Sequence, residues 1–433
     1  MAVCRSYPGG EALEILREMF YMRYDVSTSD HVKELTLPTA CVKECPPAVI
    51  HSLLSTHPGC ASFPDRRNNL PLHWAACSTD ARASETVHLL LNAFPDGVTH
   101  RNDRGCLPIH RACACGAQAE VVKILGEEYR EGVKKKDGNG NLPLHLVVGN
   151  ESPSSLKVIL VRMLLTEHSE GASTRNRKGE LPLHLACRAG KYASAPAIIL
   201  LLRANPGSPS TVSVKGALAL HLACTSGAPV EVARTLLTMF PASIAQLDGN
   251  GYAPLHCAVR YNASADVVKE LLVALREGGQ AVAAAPSSKG VLPLHLACIF
   301  GSTVDIVRML VNAYPEGTKK PDPEGNLPVH LAVLSKAPHD VIRFLIEANP
   351  ESVTIFDGRG RRLSDCLLRN NVHLRDKSLV STLVQAFDQN SPTIKKSKNK
   401  ECEIKGGTPT RRRKVMFSHT TSTGSLEHTF PKI

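Results

Sequence analysis

Large aromatic side chains are scarce in this sequence, at 4% of 433 residues with a single Trp. Proteins that hold single-stranded nucleic acid stack bases on aromatic rings, so that function has little to work with here. Long apolar runs are missing as well. Stretches such as Ile198-Ile199-Leu200-Leu201-Leu202 stop far short of the ~20 residues a membrane-spanning helix needs. The opening residues, Met1-Ala2-Val3-Cys4-Arg5-Ser6, hold no apolar signal-peptide core. The expectation is therefore a soluble chain, cytoplasmic or nuclear, with no membrane insertion. No Gly-rich phosphate loop or dinucleotide fingerprint occurs, and neither does a recognised DNA-binding motif. An enzyme is not expected, and no cofactor is called for.

What the chain does have is one hexamer used again and again. Gly140-Asn141-Leu142-Pro143-Leu144-His145 carries a Leu-Pro-apolar-His core that recurs at His73, His110, His184, His221, His256, His295 and His330. Successive histidines are 37, 35, 39, 37, 35, 39 and 35 residues apart. A period of this size marks an array of repeats rather than one globular core. Two weaker copies flank it, with Pro38 in the first His slot and Asp365 in the last. Terminal units pack against one neighbour only, so atypical sequences are expected there.

Each unit has the same syntax. Pro at the first helical position has a suitable φ and lacks an N–H that would find no partner there. A short apolar helix follows, as in His221-Leu222-Ala223-Cys224, then a turn, then a second helix such as Val230 to Leu237. An Asp-x-x-Gly turn, for example Asp137-Gly138-Asn139-Gly140, leads into the next hexamer.

These residues resemble the ankyrin-repeat family, whose hallmark is Thr-Pro-Leu-His followed by x-Ala. The resemblance implies an all-α ankyrin-repeat solenoid: stacked helix-turn-helix units with projecting β-turn fingers, binding protein partners on the concave face made by fingers and first helices. One departure is systematic, because the family's Thr is Leu in most units. That Thr would cap the helix, an interaction worth roughly 0.5–2 kcal/mol, and stacking of the leucines along the array is the expected offset. A second departure is the Phe94-Pro95-Asp96-Gly97, Tyr314-Pro315-Glu316-Gly317 and Asn349-Pro350-Glu351-Ser352 signature after the second helix. It is similar to an ankyrin subtype abundant in diatoms and other stramenopiles.

The chain divides into three parts. Residues 1–34 contain a predicted helix, Glu11 to Tyr24, which either covers the open end of the solenoid or is loosely attached. Residues 35–387 form about nine or ten repeats with degenerate first and last units. The spacing 37, 35, 39 occurs twice, so His73 to His184 and His184 to His295 each span 111 residues. That pattern implies duplication of a three-repeat block, with longer inter-helix loops recurring every third unit. Residues 388–433 read as a disordered basic tail, with ten Lys and Arg against four acids.

The fourteen cysteines follow the repeat. Cys113, Cys187, Cys224 and Cys298 each lie three residues after the motif His, and Cys41 holds the same slot in the first unit. A slot filled once per repeat is a packing position that takes a small apolar side chain. Disulfides are not expected without a secretory signal. His184/Cys187 and its equivalents put two potential zinc ligands on a helical face, but helices of successive units pack roughly 8–10 Å apart. Four ligands at about 2.0–2.3 Å cannot then be assembled, so no metal site is expected. A Cys–His nucleophile fails because no orienting acid accompanies it.

Charge offers the candidate sites. Three consecutive fingers are basic, carrying Arg101 and Arg104, then Lys134, Lys135 and Lys136, then Arg175, Arg177 and Lys178. They are either a solvated edge or a strip that docks an acidic or phosphorylated partner. In the tail, Lys395, Lys396, Lys398 and Lys400 with Arg411, Arg412, Arg413 and Lys414 fit a nuclear-import pattern. The leading expectation is a non-catalytic scaffold or adaptor, monomeric, with protein partners. The alternative is a nucleus-associated regulatory factor whose tail serves import or nonspecific nucleic-acid contact.

Overall fold

The computed structural model describes residues 37–274, 281, 283–369 and 377–390. The predicted helix over Glu11 to Tyr24 and the import-signal residues lie outside them. The described residues are helical, and no strand occurs among them.

Every motif from Leu70 onward starts a helix at its Pro, or at Ala219 in the one unit that lacks it. The first helices include Pro108–Cys115, Pro143–Gly149, Pro182–Arg188 and Ala219–Ser226. Each is preceded by a residue in extended conformation, such as Leu142 at φ −77° and ψ 161°. Second helices bury adjacent pairs one turn apart: Val232, Ala233, Leu236 and Leu237 in Val230–Met239, and Ile306, Val307, Leu310 and Val311 in Val304–Ala313. This is the stripe that faces a core along a helix of 3.6 residues per turn. First helices stack on first helices and second on second, so Pro143–Gly149 packs between Pro108–Cys115 and Pro182–Arg188. The small slot after each motif His is closed, with Cys113, Cys187, Cys224 and Cys298 at 0% exposure. Burial pushes these thiols well above their usual range.

The motif histidines tie the units together. His145 Nδ1 accepts the backbone N–H of Leu142 at 3.1 Å, and Nε2–H donates to the carbonyl of Glu180 in the next unit at 3.3 Å. His110 does the same with Leu107 N–H at 3.1 Å and the Lys135 carbonyl at 2.9 Å. The first of these bonds recurs at Leu70, Leu181, Leu218, Leu292 and Leu327. It satisfies a backbone donor at the helix entrance that would otherwise be buried alone, and so replaces part of what a Thr cap supplies. The leucines are buried, and in two units their methyls close over a glycine of the same unit: Leu70 Cδ1 beside Gly97 and Leu142 Cδ1 beside Gly171. His256, whose unit has Ala253 in place of Leu, lacks a partner at Nδ1.

In the last unit Asp365 takes the His slot and its role at the helix entrance, since Oδ2 accepts the Arg362 N–H at 3.1 Å. A carboxylate keeps that bond but has no N–H to pass to a further unit, as suits a final repeat. The closing helix Lys377–Asn390 runs past Phe387, with Asn390 Nδ2 donating to the Ala386 carbonyl at 2.9 Å. Its Leu379 is buried while Val384 is exposed, as on the outer helix of a stack.

The turn after each second helix explains the Phe-Pro-Asp-Gly signature. Phe94, Tyr129 and Tyr314 end their helices, and a short 3-10 turn follows. The ring folds back over the residue three positions on, so that a Cβ at Gly97 would sit 3.1 Å from Phe94 Cδ1 and one at Gly317 3.0 Å from Tyr314 Cδ1. The position takes Ser as well, with Ser243 after Phe240 and Ser352 after Asn349, and where Asn349 replaces the ring its Nδ2 donates to the Thr318 carbonyl of the preceding unit at 3.0 Å. The extra residues of the long repeats are divided between two places. The connections between the paired helices are long after Pro71–Ala75 and Pro182–Arg188, three units apart, as the block duplication implies. In the 39-residue unit that begins at His145 the insertion lies elsewhere, because Ser154–Glu167 has 14 residues where Ala119–Glu128 has 10.

The buried histidines make the stack sensitive to acid. All eight are at 0–1% exposure, and burial holds the pKa of His73, His110, His145 and His256 down at about 4. The same cause lowers His184, His221, His295 and His330. As pH falls below the ordinary ~6.5, the unfolded chain takes up protons that the folded chain refuses, so stability drops. The stability is complete above about pH 6.5 and is lost towards pH 4, by roughly 3 kcal/mol for each histidine held at about 4. Several act at once, so the thermal midpoint should be flat above pH 7 and fall steeply between pH 6.5 and 5. Replacing His145 by Gln should reduce that slope; a midpoint independent of pH down to 4.5 would contradict the assignment.

Candidate functional site: a basic edge formed by the finger turns

The finger turns are built by a side chain at their first position. Asp137 Oδ1 accepts the N–H groups of Asn139 at 2.8 Å and Asn141 at 2.7 Å. Asn102 Oδ1 does so for Arg104 and Cys106, and Asn176 Oδ1 for Lys178 and Glu180. This is the local side-chain mimicry of a backbone turn that Asp and Asn favour. Gly140 closes its turn at φ +78°, where a Cβ would lie 2.8 Å from the Arg177 backbone nitrogen. Neighbouring fingers are then joined directly, by Gly138 N–H to the Arg104 carbonyl at 2.8 Å and Arg177 N–H to the Asn139 carbonyl at 3.0 Å.

Three of the basic residues form a ladder along this edge. Arg101 Nη1 donates to the Lys136 carbonyl at 2.9 Å, Lys136 Nζ to the Arg175 carbonyl at 2.9 Å, and Arg175 Nη1 to the Val212 carbonyl at 2.9 Å. Each therefore holds the same position in the next finger. The ladder ends at Val212, which has no cation to pass on. Arg101, Lys136, Arg175 and Arg177 line a shallow cleft of ≈ 450 Å³ between the fingers. Asp137 is the acid within it, but its carboxylate is buried and engaged by the Asn139 and Asn141 N–H groups and by Asn141 Nδ2.

The remaining basic residues fare differently. Arg104, Lys135, Arg177 and Lys178 are exposed, and no hydrogen bond or ion pair engages their side chains among the described residues. Lys134 is exposed but turned to Glu131, 2.7 Å away, and that bond raises its pKa. Further along, Lys319 pairs with Glu316 and Arg361 with Asp357. The structure thus brings together Arg101, Lys136, Arg175 and Arg177 from the sequence set and leaves Lys134 beside an acid.

One lysine outside the basic fingers is buried. Lys157 is 1% exposed, and its Nζ donates to the carbonyls of Asn150 and Tyr192, both at 2.6 Å. Burial pulls its pKa down to about 8. The signal was present, because Lys157 falls on the stripe of Leu160, Val161 and Leu164, where a solvated lysine has no place.

Comparison with known families agrees with this architecture. A model described as ankyrin repeats (3 copies) matches residues 109–207 and 192–283, and a single ankyrin repeat matches residues 289–318. The chain carries ankyrin repeats over these residues. No curated protein matches it. Among solved structures it is similar to the human ASB11 ankyrin repeat domain, with 19% identity and a TM-score of 0.43 over 55% of this chain and 96% of that one. It is also similar to the ankyrin repeat domain of Bcl-3, described as a member of the IkappaB protein family, with 22% identity and a TM-score of 0.43 over 57% and 99%. Ankyrin repeats are protein–protein interaction modules. Among the described residues no helix is long and apolar enough to cross a membrane.

The ladder separates two kinds of cation in this ankyrin array. Lys136→Glu removes the bond to the Arg175 carbonyl and puts a carboxylate in its place, so it should lower stability by about 0.5–1.5 kcal/mol. Arg177→Glu breaks no side-chain bond and should stay within about 0.5 kcal/mol of the parent. Urea titration of both variants compares them directly.

Proposed function

We propose that this chain is a non-catalytic scaffold or adaptor that binds an acidic or phosphorylated segment of a partner protein at the finger cleft. The observation that carries this reading is the convergence of Arg101, Lys136, Arg175 and Arg177 on one cleft. Three of them are held in place by backbone carbonyls of the next finger, so little side-chain freedom is lost on binding. The guanidinium groups of Arg101 and Arg175 spend one nitrogen each on those carbonyls and keep further N–H groups for a carboxylate or phosphate. The one acid in the cleft is occupied by its own turn. Arg104, Lys135 and Lys178 extend the positive potential beyond the cleft and favour anionic partners at a distance.

The test is binding of an anionic peptide to the full chain, reading a labelled phosphoserine-rich peptide by anisotropy at 50 mM and 200 mM salt. Arg177→Glu combined with Arg104→Glu should weaken binding at least tenfold with the melting curve unchanged, and the added salt should weaken the parent's binding as well. Equal affinity of parent and double variant would refute the finger-cleft reading. A parallel chain ending at Asn390 separates the tail's contribution: binding lost only on that truncation would assign the anion contact to the tail.

A further inference from the structure

One pair of side chains stands apart from the packing cysteines. Cys77 follows the first helix Pro71–Ala75, and Cys115 is the last residue of the first helix in the next unit, Pro108–Cys115. Their Sγ atoms are 2.8 Å apart although 38 residues separate them in sequence. Cys115 is exposed and Cys77 partly so, whereas Cys41, Cys45, Cys113, Cys187, Cys224 and Cys298 are buried. The equivalent positions in the other units hold residues such as Gly149, Arg188, Ser226 and Phe300, so no other step of the array places two thiols there.

We infer that Cys77 and Cys115 form a reversible redox site, closing a disulfide between adjacent repeats when a hydroperoxide oxidises Cys115. The shared hydrogen bond with Cys77 holds the Cys115 thiol down at about 6, and the Arg111 guanidinium adds to the effect. The same bond and burial push Cys77 up. The negative end of the helix works against a thiolate at Cys115, and the neighbouring thiol and cation outweigh it. Cys115 is also the sulfur that solvent reaches more freely, so a peroxide meets it first and Cys77 resolves.

The chemistry balances without further parts. The Cys115 thiolate attacks one oxygen of hydrogen peroxide. The O–O bond breaks, an S–O bond forms, and the departing hydroxide takes a proton to become water. Cys77 then gives up its proton and attacks the Cys115 sulfur. The S–S bond forms, the S–O bond breaks, and a second water leaves. Two thiols lose two electrons and two protons; one peroxide becomes two waters. A dithiol reverses the step by exchange. Closure would pin the C-terminal ends of two first helices where Cys77 Sγ already approaches the Arg111 carbonyl at 3.8 Å and Arg111 lies 5.4 Å over the Trp74 ring.

The experiment treats the full folded chain with a small excess of hydrogen peroxide at pH 7, then alkylates and maps the cysteines by mass spectrometry. Loss of both thiols as one Cys77–Cys115 linked peptide, restored by dithiothreitol, is the expected result. Half-buried Cys106 should keep its thiol at the same dose, with at least tenfold less modification. Cys77→Ser should stop the reaction at a Cys115 sulfenic acid that a cyclic diketone captures, and Cys115→Ser should leave Cys77 alkylatable. The proposal is overturned if both thiols survive the peroxide, if Cys106 reacts as fast, or if Cys115 of the parent goes on to sulfinic acid without the link.

Discussion

The structure depends on one neutral imidazole per repeat. A first helix of seven or eight residues is too short to be stable alone, and its entrance leaves a backbone N–H inside the stack. The motif His resolves both problems at once. Its Nδ1 takes that N–H in every motif unit but that of His256, and its Nε2–H reaches a carbonyl of the following unit in every one but that of His330, as at His110 with Leu107 and Lys135. The bond pair requires a single tautomer and an uncharged ring, so the same feature that couples the units excludes a proton from them. Cooperativity of the array and its acid sensitivity have one origin.

The finger edge extends this logic outward. Each turn is self-supporting through its Asp or Asn, and each is bonded to the next through backbone and, over three units, through Arg101, Lys136 and Arg175. A row of cations that serves as rungs is held rigidly, which is what a docking surface for anions needs. In the proposed docking, Lys136 would serve both stability and recognition, and Arg177 recognition alone. The paired thiols at the opposite end of the first helices are separate from this edge. They connect two units where the histidines already do, at a position that solvent reaches.

Much of this was legible from residue order. The period of the Leu-Pro-apolar-His core, the Pro at the first helical position and the apolar spacing of the second helices identify the repeat and its helices. The recurrence of Cys three residues after His identifies a core slot, because only a packing position is reused in every unit. The basic composition of three consecutive fingers was equally visible. What no pattern could reveal is the direction of each cation. Lys134 and Lys136 are two residues apart in one basic run, yet one turns to Glu131 and the other to the next finger's backbone.

The sequence by itself determined the repeat, its resemblance to ankyrin repeats, the core cysteine slot and the helix pattern, since these follow from local periodicity and from chemistry repeated at one spacing. Tertiary structure decided how Leu replaces a capping Thr, why Gly or Ser follows the aromatic-Pro step, which four cations share a cleft, and that Cys77 meets Cys115. Each of these rests on contact between residues far apart in one unit or in neighbouring units. Their distances depend on how the units stack, which residue order does not express.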